Sequence, residues 1–296
     1  MVCHIMDYVG RIFRPPSEAP SFLLQVTVGC SHNKCTYCDM YRDKDFRVKP
    51  FDAVKADIAE AAEFGPQFRR VFLCDGDAFI LSTKRLLPIL EEIRRELPWV
   101  ERVGTYGDTR SVGKKSVAEL TELREAGLGI VYHGMESGDD EVLERIEKGG
   151  TRAEAIDTAA KLRDAGIAHS VMVLLGVGGV KLSEQHAINT ASALTEMDPT
   201  YVGALTTTVT PNTPMFDQQE AGEFVLPDKF RMIEELRTIV AESNFSNTRF
   251  SANHASNYVP IRSTMPKDKD AVVRLLDRVI AERDESLLKP ENLRGL

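Results

Sequence analysis

The chain has 296 residues, room for one large or two small domains at ~100 to 200 residues each. Apolar residues make up 43% and charged residues 28%, the balance of an ordinary globular protein, which excludes disordered, collagenous and coiled-coil chains. No apolar run approaches the ~20 residues of a membrane span, the start lacks a secretory pattern, and a net charge of −8 is poor for gripping phosphate backbones, so a cytoplasmic protein without membrane or nucleic-acid partners is expected.

In chain order, short β-branched apolar runs predict six strands, at 23–29, 70–75, 102–106, 128–134, 169–175 and 201–208. Helical patterns lie between and after them, at 52–64, 83–97, 114–126, 139–148, 151–165, 182–197 and 228–243. Ser82 is the expected cap of the second helix, and Gly149-Gly150 splits the fourth from the fifth. Strands alternating with helices need crossover connections, hence a parallel sheet covered by helices. Six such units predict an α/β protein, a partial (β/α)6 TIM-like barrel, with an open doubly wound sheet as the alternative. In both, ligands sit where strands end. The stretch 245–265, dense in Asn, Ser and aromatic residues, breaks the rhythm before a last helix at 267–284. The expected organisation is an N-terminal extension over 1–20, a barrel core over 21–215, and a C-terminal extension over 216–296 covering the barrel mouth.

Five cysteines, Cys3, Cys30, Cys35, Cys38 and Cys74, are an odd number in a large chain and do not read as a disulfide framework. Three of them form C-x4-C-x2-C in the loop after the first strand. Three thiolates on one loop suit a single soft metal centre. His32, between the first two, leaves a zinc site open as an alternative, while Cys3 and Cys74 read as packed thiols.

Cysteines grouped after the first strand of a β/α barrel, with Tyr37 directly before the third, resemble the radical S-adenosylmethionine enzymes. The commonest family spacing has three residues between the first two cysteines, where this chain has four. The resemblance implies that Cys30, Cys35 and Cys38 hold a 4Fe-4S cluster whose fourth iron binds S-adenosylmethionine. It continues at later strand ends. Cys74-Asp75-Gly76-Asp77 is similar to the family's Gly-Gly-Glu element, with Asp75 in place of the first Gly, which implies that Gly76 and Asp77 bind the methionyl amino group. Gly134-Met135-Glu136-Ser137-Gly138, followed by a helix ending at Lys148, resembles a segment in which Glu136 would meet the ribose hydroxyls and Lys148 the methionyl carboxylate. The run 174–179 resembles the adenine-lining segment, with Val177 at its centre, and Tyr37 would face the adenine.

The implied activity is reductive cleavage to a 5'-deoxyadenosyl radical that abstracts hydrogen from a small or medium-sized molecule, with electrons from a flavodoxin or ferredoxin. A non-catalytic iron-sulfur carrier or scaffold is the alternative. No second cysteine group exists for an auxiliary cluster and no N-terminal domain is long enough for cobalamin, which disfavours the classes that need them. Substrate contacts are expected from Arg110 after the third strand and from Asn253, His254, Asn257 and Tyr258 in the C-terminal stretch.

Overall fold

Why the chain alternates as it does is visible in the computed structural model, which describes residues 6–295; Cys3 lies outside them. Contacts divide the chain into two compact units. The first comprises Met1–Asn33, Met40–His133 and Ala160–His169, and the second Lys34–Asp39, Gly134–Ala159 and Ser170–Leu296.

The first unit begins with a short 3-10 turn and then β1 (Phe22–Gln25), β2 (Thr27–Val28), β3 (Arg47–Val48), α1 (Phe51–Glu63), β4 (Arg70–Cys74), α2 (Thr83–Glu96), β5 (Arg102–Gly107), α3 (Thr109–Gly113), α4 (Val117–Glu125) and most of β6 (Leu128–Glu136). β1, β4, β5 and β6 pair in parallel, while β2 and β3 form a small antiparallel ribbon. Side chains alternate across the sheet. Val71, Leu73, Val103 and Val131 pack with Val54, Ile58, Leu86, Leu90, Leu120 and Leu123 from the helices. On the opposite face the rings of Phe72, Tyr106 and Tyr132 meet edge to face, with centroids 5.0 to 6.3 Å apart. Below them the buried Glu18 carboxylate takes Arg102, Ser21 and Tyr132 as partners. A parallel sheet covered on both faces has to be apolar on both, which is why its strands show as continuous runs in the sequence.

The second unit continues with α5 (Asp140–Arg145), the first part of α6 (Arg152–Asp164), β7 (Ala168–Leu175), α7 (Gly179–Met197), β8 (Tyr201–Thr206), α8 (Pro214–Glu220), α9 (Lys229–Glu242), β9 (Thr248–Ser251), β10 (Arg262–Met265) and α10 (Lys269–Glu282). Val171, Val173, Val202, Ala204 and Phe250 form its core with Leu194, Ile233, Leu236, Ile239 and Leu276. Asp139 and Asp228 cap α5 and α9 by accepting from backbone N–H groups of the first turn. Through the sheet the strand order is β1-β4-β5-β6-β7-β8-β9-β10.

All six expected strands are present, the first broken at Val26 into β1 and β2. Three expectations are corrected, one in the C-terminal stretch and two at earlier helices. Residues 245–265 are not all loop: β9 pairs in parallel with β8, and β10 antiparallel with β9, so the sheet has eight strands and this part of the chain continues it. Ser82 occupies the cap position of α2 without a side-chain bond. The helix expected to run to Lys148 ends at Arg145, since Glu147 and Gly149 both adopt positive φ.

Candidate functional site

The loop joining β2 to β3 carries all three clustered cysteines, each half-buried, and each unit shows how its own share of the loop is held.

In the first unit Cys30 faces the turn that ends β4. The Gly76 N–H donates to the Gly29 carbonyl at 3.2 Å. A Cβ on Gly76 would stand 2.7 Å from the Cys30 Cβ and 2.8 Å from the Tyr41 ring, so only glycine lets the two segments approach this closely. Next to it, Asp77 is buried, with Oδ2 accepting from the Ser31 hydroxyl at 2.6 Å. Among the described residues its Oδ1 has no hydrogen-bond partner, which is costly for a buried carboxylate and fits an acceptor for a cationic group. Burial, reinforced by nearby Asp108, pushes the Asp77 carboxyl up to about 7.

Arg110, in α3, pairs with Asp108 and brings Nη1 within 2.9 Å of His32 Nδ1. Burial works against its charge, but the bonds to Asp108 hold it protonated. A guanidinium can only donate, so His32 Nδ1 accepts and its ring proton sits on Nε2. Lys115 was not singled out by its sequence. It is buried, donates to the Phe79 and Ser111 carbonyls at 2.6 and 3.2 Å, and lies 4.3 Å from the Phe79 ring centroid. Burial brings it down to about 8.

In the second unit the Thr36 N–H donates to the Ile146 carbonyl, and the Met215 N–H donates to the Thr36 carbonyl, both at 3.0 Å. Cys35 and Cys38 flank Tyr37 on the turn so anchored, the Cys38 N–H donating to the Cys35 carbonyl at 3.3 Å. Tyr37 packs beside Val142, Leu143, Val177 and Leu182, which places the expected adenine-facing ring and Val177 in one apolar group. Lys148 Nζ lies 3.0 Å from Glu136 Oε1 and 3.5 Å from the Tyr37 hydroxyl. Burial alone would lower Lys148, yet Tyr37, Glu136 and Cys35 outweigh it and hold the ammonium well above its usual value. Burial, with Glu136 adding to it, keeps the Tyr37 hydroxyl protonated. Glu136 ends β6 with φ +68, a conformation that costs a non-glycine residue backbone energy; a Cβ on Gly134 would lie 2.3 Å from its Oε1 and push that carboxylate aside.

Glu235 is a second residue that its sequence did not mark. From α9 its Oε2 accepts from the Gly176 N–H at 2.6 Å, bracing the turn that leads into Val177. Burial pushes its carboxyl up to about 7.

Four of the expected substrate contacts bond to their own neighbours in the second unit. Asn257 is buried, its Oδ1 accepting from Thr206 at 2.9 Å and its Nδ2 donating to the Ala204 carbonyl at 2.8 Å. Asn253, with its amide oxygen toward Arg262, accepts from that guanidinium at 2.8 and 2.9 Å. His254 bonds Ser256 at 2.9 Å, and the Tyr258 ring lies 3.8 Å from the Arg294 guanidinium. These bonds tie the segment to β8, β10 and the C-terminal tail.

Among the described residues no three His, Cys, Asp or Glu side chains are gathered tightly enough to hold a single metal ion. Three thiols on one loop are the donor chemistry of a multi-iron centre, whose cysteines stand apart around the cluster. No helix among the described residues is long and apolar enough to cross a membrane.

The sequence pattern of the radical SAM superfamily matches residues 24–191, more than half of the chain. The heme chaperone HemW of Bacillus subtilis (strain 168) is 23% identical over 248 residues, covering 77% of this chain and 64% of that protein. Among solved structures, the radical S-adenosylmethionine methyltransferase TsrM from Kitasatospora setae, with cobalamin and a [4Fe-4S] cluster bound, superposes with a TM-score of 0.56 at 22% identity, over 70% of this chain and 41% of that one. The radical SAM enzyme coproporphyrinogen III oxidase (HemN) from Escherichia coli gives 0.59 at 15% identity, over 75% and 51%. The chain thus spans less than two thirds of the length of each of these relatives. At these identities the likeness is one of fold, the partial TIM-like barrel.

Proposed function

Because the chain belongs to the radical SAM superfamily, whose members bind a 4Fe-4S cluster and S-adenosylmethionine, we propose that it is an enzyme that cleaves S-adenosylmethionine reductively and acts on a small or medium-sized molecule. Cys30, Cys35 and Cys38 would ligate the cluster. When bound, the two cofactors supply a one-electron cleavage that gives methionine and a 5'-deoxyadenosyl radical able to abstract hydrogen.

The protein's own residues do the holding. Asp77 offers its unpartnered Oδ1 to the methionyl ammonium, and binding that cation returns the carboxyl to its charged form. Lys148 offers an ammonium to the methionyl carboxylate, and Glu136 offers acceptor oxygens to the ribose hydroxyls. Val177 and the Tyr37 ring give the adenine an apolar and aromatic surface. Arg110 is the candidate contact for an anionic substrate. Electrons would come from a flavodoxin or ferredoxin.

One observation carries this reading beyond the family match. A buried carboxylate with an unpartnered oxygen follows β4, and a half-buried ammonium pairs with the carboxylate that ends β6, groups that suit a zwitterionic amino acid and ribose hydroxyls. The test is anaerobic reconstitution with iron and sulfide, reduction with dithionite, and chromatography for 5'-deoxyadenosine. Product is expected from the wild type and none from Cys35→Ala. A fully loaded cluster without product would sink the enzyme reading in favour of an iron-sulfur carrier.

A further inference from the structure

Asp75 stands where the resembling element has glycine, and its backbone keeps the left-handed conformation that favours glycine, with φ +75. A strained residue persists where its surroundings demand it, and what surrounds Asp75 is specific. The side chain is fully buried. Its Oδ2 accepts from the Gly29 N–H at 2.7 Å and from Gln25 Nε2 at 3.0 Å, and lies 3.5 Å from Lys44 Nζ. Gly29 directly precedes Cys30. With its carbonyl accepting from Gly76, Gly29 is held through both its N–H and its carbonyl, on the two peptide groups that flank its Cα.

The same two partners reach outward. Gln25 exchanges bonds with the Val9 backbone, accepting at 2.9 Å and donating at 3.3 Å, and Lys44 donates to the Arg11 carbonyl. One carboxylate therefore joins the residues before the first cysteine, the end of β1 and the segment at 9–11.

We propose that Asp75 is a positioning residue for the first cluster ligand: its carboxylate fixes the Gly29 peptide and so sets where Cys30 presents its thiolate. A glycine here would relieve the backbone and release the loop. Asparagine would keep an acceptor oxygen for the Gly29 N–H while removing the charge. The inference rests on the cluster reading above.

The experiment loads wild type, Asp75→Gly and Asp75→Asn with iron and sulfide anaerobically and follows iron release to a chelator, alongside thermal unfolding of the apo-proteins. Partners that orient a metal ligand typically change affinity by ~10- to 100-fold, so Asp75→Gly is expected to release iron on the order of 10-fold faster at a temperature well below the melting transition of its apo-protein, which itself falls because Lys44 is left without its buried partner. Asp75→Asn should stay close to wild type in release. Equal release from wild type and Asp75→Gly would overturn the proposal, as would faster release from both variants in step with lower melting. If Asp75→Gly does not fold, Asp75→Ser, which is too short to reach Gly29, is read in the same way. If the wild type itself takes up no iron, the cluster reading fails instead; amide hydrogen exchange at Gly29 in the apo-proteins then decides, protected in wild type and Asp75→Asn and unprotected in Asp75→Gly if the clamp is real.

Discussion

Lys148→Met is the substitution whose consequences the structure lets one work out most fully. The ammonium lies 3.0 Å from Glu136, and the two side chains are 13% and 10% exposed. Breaking a buried pair from one side costs ~3 to 5 kcal/mol, because the remaining charge is left without a partner. Water reaches a tenth of each side chain, so the lower end applies, ~3 kcal/mol. At ~2.1 cal/mol/K of unfolding entropy per residue for 296 residues, cooperative unfolding of the whole chain would shift by about 5 °C. The same lysine, offered to the methionyl carboxylate, would contribute a charge-assisted bond of ~1.5 to 3 kcal/mol, or roughly 10- to 150-fold in S-adenosylmethionine affinity. Lys148→Arg keeps the charge and should recover much of both. Since the lysine is held above its usual value, its contribution is complete below about pH 10 and is lost only as pH rises through the folded value, so the melting difference should be flat from about pH 6 to 9. Differential scanning calorimetry and equilibrium dialysis of the anaerobic protein read the two effects. A Lys148→Met protein that melts within about 1 °C of wild type and binds the cofactor equally well would refute the reasoning.

Two further predictions concern buried acids. With Asp77 pushed up to about 7 by burial and Asp108, a methionyl ammonium meets a carboxylic acid below that value and a carboxylate above it, so S-adenosylmethionine should bind up to ~10-fold more tightly at about pH 8 than at pH 6; a flat profile in wild type, or a slope that persists in Asp77→Asn, would count against the assignment. Glu235, also near 7 because of burial, is an acid with a raised folded value. Its contribution to stability is complete below the ordinary glutamate range and is lost as pH rises from about 4 through 7. Chemical denaturation should therefore show Glu235→Gln gaining on wild type by ~2 kcal/mol between about pH 5 and 8, and a pH-independent difference would contradict it.

How far the sequence revealed this arrangement depended on how local each signal was. β4, β5, β7 and β8 are apolar on both faces and stand out as runs. β9 and β10 are four residues each and read Thr-Arg-Phe-Ser and Arg-Ser-Thr-Met; only pairing with β8 turns them into strands, and no local pattern encodes that. Asp77, Glu136 and Lys148 were singled out by the resemblance of their segments to the family's motifs, which fall at strand ends, where ligands gather. Glu235 meets Gly176 across 59 residues of sequence, and Lys115 is one lysine among many until Phe79 closes over it. Asn257 was legible as a polar residue near the C-terminus, but its bonds to β8, which a buried loop requires, were not.

The central claim is that Cys30, Cys35 and Cys38 hold a four-iron cluster with one iron open to S-adenosylmethionine. Electron paramagnetic resonance of the reduced, anaerobically reconstituted protein tests it directly. The account predicts a cluster signal whose g-values shift when S-adenosylmethionine is added, and which disappears in each of the three Cys→Ala variants. A signal unchanged by S-adenosylmethionine, or one that survives Cys30→Ala, would contradict it.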